Sequence, residues 1–391
     1  MKKNIYKIGL IISVLCFAII VGAGIVGRVK TYAGNVAEDI SMPLKASIVM
    51  DSATNTILYE KNSNNKLQVA SMTKIMTLLI AFDYLNDNKI ALTDKITISN
   101  FAASVEGSQA FLDAGAKYSL DDILKSIIIC SANDSCVALA EFIAGDEQNF
   151  VKMMNDKAEL LLLKNTCFIN STGLPAVGHY SSAYDIATIY NKLCKNELYT
   201  AYSKIWMDTL VHPSGRKTGL VNTNRLIKTY NYNESGKTGH TIDAGYCLVS
   251  ASVKDNMKVI TVVIGAETSK IRFDSAKVLA NYAFNSYISK TIVKEYENPI
   301  TINIKGSDNK SINAVPNKNF IVLCKKTDDE KFKISYETYE LKAPICKGDN
   351  VGKIYVYNSS ESLVAEIDLV AEFDAPKIKI STIFNKILEL M

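Results

Sequence analysis

Three short patterns carry groups suited to acyl transfer: Ser71-Met-Thr-Lys74, Ser131-Ala-Asn133 and Lys237-Thr238-Gly239. A serine hydroxyl becomes a nucleophile when a nearby base takes its proton, and a lysine with a lowered pKa can be that base. Residues three apart on a helix are neighbours, so Lys74 reaches Ser71 Oγ if a helix begins at the serine. The positive end of that helix favours a developing alkoxide and disfavours an ammonium; desolvation in a cleft lowers the lysine pKa further. Lys237 and Thr238 on a strand edge can hold a carboxylate, and Gly239 lets a substrate backbone come close.

Each pattern alone is weak. Ser63–Lys66, Ser214–Lys217 and Ser307–Lys310 repeat the first spacing, Ser307-Asp308-Asn309 imitates the second pattern, and Lys217-Thr218-Gly219 the third. Ser71 could simply cap a helix, and Ser131 to Asp134 could cap the next one. Context separates them. Only Ser71 opens a strongly apolar helix, with Met72, Ile75, Met76, Leu79 and Ile80 at helical spacing. Ser131 and Asn133 fall in a break between helical stretches at 120–129 and 135–144, where side chains can face a cleft. Lys237 precedes two β-rich runs, 245–253 and 257–265, whereas Lys217-Thr-Gly lacks such a hairpin and reads as a decoy. The ordered conjunction selects a serine acyl-transfer site.

The positioning elements follow from periodicity. Residues 46–62 read as a hairpin turning at 51–55, and helices are expected near 150–163, 184–194 and 275–287. From 297 to 373 only short strands appear: 300–304, 320–324, 332–336, 353–357 and 363–370. A mixed α/β domain therefore precedes a small all-β one, with the boundary near 291–298.

Longer phrases surround the three patterns. They are Ala70-Ser-Met-Thr-Lys-Ile-Met-Thr77, Ser131-Ala-Asn-Asp134 with Val137-Ala-Leu-Ala-Glu141, Asn170-Ser-Thr-Gly-Leu-Pro175, Gly178-His-Tyr-Ser-Ser182, Asn222-Thr-Asn-Arg-Leu226 and Gly236-Lys-Thr-Gly-His-Thr241. Together with Leu341-Lys-Ala-Pro344 and Lys347-Gly-Asp-Asn-Val-Gly352, they make the chain resemble the low-molecular-weight penicillin-binding proteins, the D-alanyl-D-alanine carboxypeptidase family of serine peptidases. The resemblance runs from about Ala46 to Phe373. It implies an α/β (α+β) catalytic domain of the β-lactamase/transpeptidase-like fold, an antiparallel sheet flanked by helices, at 40–293. A β-rich domain at 297–374 would follow.

The resemblance also implies roles. Ser71 would attack the carbonyl between two D-alanines of a peptidoglycan stem peptide, and Lys74 would take its proton. Ser131 would relay a proton to the leaving amine, and Asn133 would bind the substrate amide. Lys237 and Thr238, beside Gly239, would hold the terminal carboxylate. Backbone N–H groups of Ser71 and His240 would form the oxyanion hole. Water would release the acyl group, and β-lactams would trap the serine. Val69 departs from the proline usual before Ala-Ser, and Thr223 stands where some relatives have arginine; Arg225 is the nearby cation that could contact a carboxylate instead.

The remaining features bound the setting. Of 391 residues, 48% are hydrophobic and 21% charged, and the net charge of +4 with no basic run argues against a nucleic-acid partner. Three histidines without HxH or HExxH spacing, and no CxxC pair among the cysteines, give no metal site; no cofactor is expected. Lys2, Lys3 and Lys7 before an apolar run at 8–26 read as a signal peptide over 1–33, with a retained anchor as the alternative. The chain is thus expected outside the cytoplasm, peripheral to the outer face of the cytoplasmic membrane. In the tail at 376–391, Ile380, Ile383, Phe384, Ile387, Leu388 and Met391 recur at helical spacing, as in an amphipathic helix lying on a membrane surface. Packing on the protein itself is the other option.

Competing functions share these motifs. A transpeptidase or endopeptidase differs in acceptor or leaving group. A class A β-lactamase needs a glutamate for its deacylating water, and no Glu-x-x-Asn occurs between 145 and 236. A non-catalytic wall-binding protein would not need all three motifs intact.

Overall fold

The computed structural model describes residues 42–379, so the expected signal peptide and most of the expected membrane-associating tail lie outside the described residues. Among the described residues no helix is long and apolar enough to cross a membrane. The described residues form two compact units, one of residues 42–290 with 322–328, the other of 291–321 with 329–379.

The first unit is built on a five-stranded sheet. Strands β1 (Ala46–Asp51) and β2 (Ile57–Lys61) form a hairpin whose turn places Asn55 at φ 58°. After a two-stranded ribbon of β3 (Met207–Val211) and β4 (Lys217–Val221) come β5 (Asn233–Thr241), β6 (Gly245–Lys254) and β7 (Met257–Ala266). The sheet order is β2-β1-β7-β6-β5 and every pairing is antiparallel. Alternating side chains serve opposite faces of a strand. Thus Ile48, Val249 and Val262 join one apolar core, while Val49, Leu248 and Val263 join another. Both faces are buried, which the apolar runs in β6 and β7 require.

The larger core contains α1 (Lys74–Asn86), α2 (Leu120–Cys130), α3 (Asn133–Ala144), α4 (Glu147–Leu160) and α5 (Ala183–Leu193). The opposite face is covered by α6 (Ser269–Ser286). An apolar stripe was the expectation for α1, but Lys74 through Phe82 are all buried. A helix buried all round is a central helix, and here it brings its first residue, a lysine, inside the protein.

Three further differences from the sequence expectations have physical reasons. Lys217-Thr218-Gly219, read as lacking a hairpin, lies in β4 paired with β3; its ribbon exposes Met207, Val211 and Val221, so no strand-like burial contrast marks it. Helix α3 begins at Asn133 rather than 135, because Ser131 turns the chain in a left-handed conformation at φ 66°. In the second unit, strand Ser311–Pro316 was missed. It ends in a proline, which cannot donate to a ladder, yet it pairs antiparallel with both Ile300–Lys305 and Leu363–Ala371. That unit is a six-stranded sheet with Ile302, Ile312, Ile354, Val356, Ile367 and Leu369 among its core residues.

Candidate active site

Ser71 lies in a one-turn 3₁₀ segment, Ala70–Thr73, that leads directly into α1. Ala70 adopts φ 48°, a strained conformation for a residue with a Cβ, so its surroundings must hold the turn. Two glycines let them. A Cβ on Gly173 (φ 83°) would stand 2.0 Å from the Ala70 carbonyl oxygen, and one on Gly239 would stand 2.7 Å from the Val69 oxygen and 3.1 Å from the Ser71 nitrogen. The β5 strand and the 170–175 loop thus clamp the turn from two sides.

Lys74 is fully buried, and its Nζ has three polar neighbours: Asn133 Oδ1 at 2.6 Å, the Thr172 carbonyl at 2.7 Å and Ser71 Oγ at 3.1 Å. Burial pushes its pKa down to about 8. The amide and carbonyl oxygens can only accept. A neutral amine that gives its two N–H bonds to them keeps its lone pair for the Ser71 hydroxyl proton. Thr172 is set by Asn170, whose Oδ1 accepts from the backbone of Thr172 and Gly173.

Ser131 and Asn133 flank the α2–α3 junction, and both are buried. Asn133 Nδ2 donates to the Glu106 carbonyl at 2.6 Å, so its side chain ties Lys74 to the 104–112 loop. Gly107 makes this possible, since a Cβ there would meet Asn133 Nδ2 at 2.7 Å. The next residue, Asp134, accepts from the backbone of Ala110 and Leu112 and fixes the same loop. Across the cleft, Lys237 on β5 donates to Ser131 Oγ at 2.7 Å and to the Thr238 carbonyl at 3.0 Å. Burial, and then the charge of Lys74, hold its pKa well below the usual lysine range.

Thr238 Oγ1 donates to Thr223 Oγ1 at 2.7 Å. Gly236 admits the loop that carries Thr223, because a Cβ there would stand 2.5 Å from Asn224 Nδ2. His240 ends the row, exposed, with its ring stacked on Tyr246 at 4.0 Å.

The fold therefore brings Ser71, Lys74, Ser131, Asn133, Lys237, Thr238 and Gly239 together, with His240 at the strand end. Arg225 is exposed and makes no hydrogen bond to Thr238; Thr223 occupies that place. Sequence reasoning gave no role to three neighbours: the Thr172 carbonyl, Thr223, and His179, whose Nε2 meets Thr73 Oγ1 at 2.8 Å. The first two left only weak traces, a glycine-containing loop and an Asn-Thr-Asn phrase.

Comparison with known proteins agrees with this geometry. A family model described as D-alanyl-D-alanine carboxypeptidase matches residues 34–268, and one described as the penicillin-binding protein 5 C-terminal domain matches 287–377. The D-alanyl-D-alanine carboxypeptidase DacF of Bacillus subtilis is 39% identical, covering 90% of this chain and 91% of its own length. The carboxypeptidase DacC of Escherichia coli is 34% identical over 80% of each chain. Among solved structures, penicillin-binding protein 5 of Haemophilus influenzae superposes with a TM-score of 0.68 at 28% identity, covering 87% of this chain and all of that one. The match spans both units, and the curated relatives are matched over most of their length: the chain belongs to the D-alanyl-D-alanine carboxypeptidase family.

Proposed function

We propose that the chain removes the terminal D-alanine from peptidoglycan stem peptides through an acyl-enzyme on Ser71. The observation that carries this reading is Lys74 Nζ, buried and held by two fixed acceptors 3.1 Å from Ser71 Oγ. Neutral Lys74 takes the hydroxyl proton as Ser71 attacks the carbonyl carbon of the penultimate D-alanine. The proton passes to the leaving amine through Ser131, which Lys237 orients. Lys237 and Thr238 hold the terminal carboxylate of the substrate, and Gly239 gives its backbone room. The Ser71 and His240 N–H groups stabilise the oxyanion. Asn133 Oδ1 is engaged by Lys74, leaving one amide proton for a substrate carbonyl. Water then hydrolyses the ester, and a β-lactam, as an analogue of the substrate, stalls at the acyl stage.

The residues bonded to Ser71, Lys74 and Ser131 include no carboxylate, which favours a peptidase over a lactamase that relies on a glutamate-activated water. In this reading residues 40–293 are the catalytic domain and 297–374 an accessory β domain. The protein is exported and works at the outer face of the cytoplasmic membrane, held there by 376–391. Incubating the exported chain with a peptide ending in D-Ala-D-Ala tests the chemistry: free D-alanine must appear, and must vanish in Ser71→Ala and with penicillin. β-Lactam turnover without D-alanine release would support a lactamase instead. Deleting 376–391 must release the signal-cleaved protein from membranes.

A further inference from the structure

The carbonyl of Gly239 and the N–H of His240 belong to one peptide group, and that N–H is an oxyanion donor in the reaction above. The peptide is trans, so its C=O and N–H point in opposite directions. On the carbonyl side stands Arg272, from the first turn of α6. Its Nη1 donates to the Gly239 oxygen and to the Cys247 oxygen, both at 3.3 Å. Gly239 and Cys247 are partners across β5 and β6, so one guanidinium nitrogen ties the two strands at the level of the donor peptide.

Arg272 is a costly residue to keep there. It is only 7% exposed, its Nη2 donates to Ser269 Oγ at 3.1 Å, and its Nε is buried without a hydrogen-bond partner. Burial pushes its pKa down to about 10, which leaves it cationic at neutral pH. All its acceptors are neutral oxygens, and among the described residues no carboxylate pairs with it. A buried charge without a counter-ion adds little to stability, so the fold alone does not account for it. A carboxylate partner would cancel its field, whereas neutral acceptors leave the positive charge acting on the peptide it touches. The guanidinium also lies over the Tyr246 ring at 5.4 Å, and the same ring carries the His240 imidazole, stacked at 4.0 Å. The Gly239 oxygen and the His240 side chain are thus both held by one Arg272–Tyr246 pair.

We propose that Arg272 is a positioning residue for the oxyanion hole: it orients and polarises the Gly239–His240 peptide, making the His240 N–H a stronger donor to the oxygen that gains charge when Ser71 attacks. The proposal rests on the Ser71 acyl-enzyme reading. A cation on a carbonyl oxygen draws electron density from the amide nitrogen through the partial double bond, and hydrogen bonds in series strengthen one another by roughly 10–30%. An oxyanion donor is worth about 10²–10³ in kcat. Losing that fraction of it, together with the hold on the peptide, is worth about three- to tenfold.

The full chain should be compared with Arg272→Gln and Arg272→Lys. On a peptide ending in D-Ala-D-Ala, kcat should fall about three- to tenfold in Arg272→Gln while KM stays within about twofold. Arg272→Lys keeps its charge and one donor and should lie between the two. A raised KM at unchanged kcat overturns the proposal, because the guanidinium would then hold the substrate itself. The second readout is the infrared band of the ester carbonyl in the penicillin-acylated enzyme, isotope-labelled at that carbon. This carbonyl occupies the oxyanion hole, and a weaker donor leaves it at higher frequency. Only folded protein acylates, so the band does not depend on how much of a variant folds. In Arg272→Gln it should move from the wild-type position towards that of the denatured acyl-enzyme; an unmoved band overturns the proposal even where kcat falls. Failure of the parent reading looks different: no penicillin label on Ser71 sinks the acyl-enzyme, and a wild-type band already at the denatured position sinks the oxyanion hole, whatever the variants do.

Discussion

Lys237 Nζ and Ser131 Oγ, 106 residues apart in sequence, meet at 2.7 Å across the cleft. This bond joins the strand that would hold the substrate carboxylate to the hydroxyl that would hand a proton to the leaving amine. Among the described residues it is one of two hydrogen bonds that the Lys237 ammonium makes, the other going to the Thr238 carbonyl.

Replacing Ser131 with alanine therefore removes a proton path and leaves a buried lysine short of an acceptor. Such a loss costs about 2–3 kcal/mol, or roughly 100-fold in rate where it falls on the transition state. Acylation by a fluorescent penicillin, followed by rapid quench, should slow by about that factor while Ser71 remains the labelled residue. Acylation within about twofold of wild type would remove Ser131 from the mechanism.

The pH profile tests Lys74. With its pKa near 8, neutral Lys74 is the minority form at pH 6 and the majority at pH 9. Penicillin acylation should rise about tenfold per pH unit below 8 and level off above it. Lys74→Arg cannot lose its proton in that range and should stay inactive throughout. The linkage to stability has the same direction: the unfolded lysine binds its proton up to about 10.5, so the Lys74 contribution to folding becomes more favourable as pH rises from 8 to 10.5. A flat acylation profile from pH 6 to 9 would mean that another group is the base.

How far the site could be read from the chain depended on the kind of group involved. Ser71 and Lys74, and Ser131 and Asn133, are local pairs, and a helix or a helix break fixes their geometry wherever the rest of the chain goes. Lys237-Thr-Gly stood out because two apolar runs follow it, and the two-sided burial of β6 and β7 bears that out. The Thr172 carbonyl was invisible for the opposite reason: a backbone oxygen is present at every residue, and only the approach of the 170–175 loop to the start of α1 makes this one a partner of Lys74. Thr223 likewise gains meaning only from its 2.7 Å bond to Thr238. The apolar stripe expected on helix α1 does not include Lys74 or Thr77, yet both are buried through specific hydrogen bonds, which periodicity cannot foresee.

Gly173 gives a prediction with an internal control. Gly173 and Gly215 share φ 83°, so alanine at either position incurs the same backbone strain of about 1 kcal/mol. They differ in surroundings. A Cβ at 173 would stand 2.0 Å from the Ala70 oxygen and 2.8 Å from Thr73 Oγ1, whereas one at 215 meets nothing within 4 Å. Gly173→Ala should lose at least about 2 kcal/mol more than Gly215→Ala in urea unfolding, and should also lose penicillin labelling, because the displaced turn carries Ser71. Equal destabilisation would show that the 170–175 loop yields without moving the nucleophile.

His179 supports the same turn from within. Its Nδ1 accepts from the Ile169 N–H at 3.2 Å, so the proton is on Nε2, which donates to Thr73 Oγ1 at 2.8 Å. Burial holds its pKa down to about 4, against 6.5 for an ordinary histidine. Between those values the unfolded chain binds a proton that the folded chain refuses. The contribution is therefore complete above pH 6.5 and is lost as pH falls towards 4. Wild type should lose roughly 2–3 kcal/mol over that interval from this residue alone. His179→Gln keeps a donor but cannot titrate, so its stability should fall less steeply with acid even if it is lower at pH 7. Urea midpoints at pH 7.5, 6 and 4.5 for the two proteins decide the matter, and parallel curves would mean that His179 takes up its proton in the folded state as readily as in the unfolded one. The accompanying readout is acylation at pH 7.5: if the Thr73 bond positions Ser71, His179→Gln retains more labelling than His179→Ala.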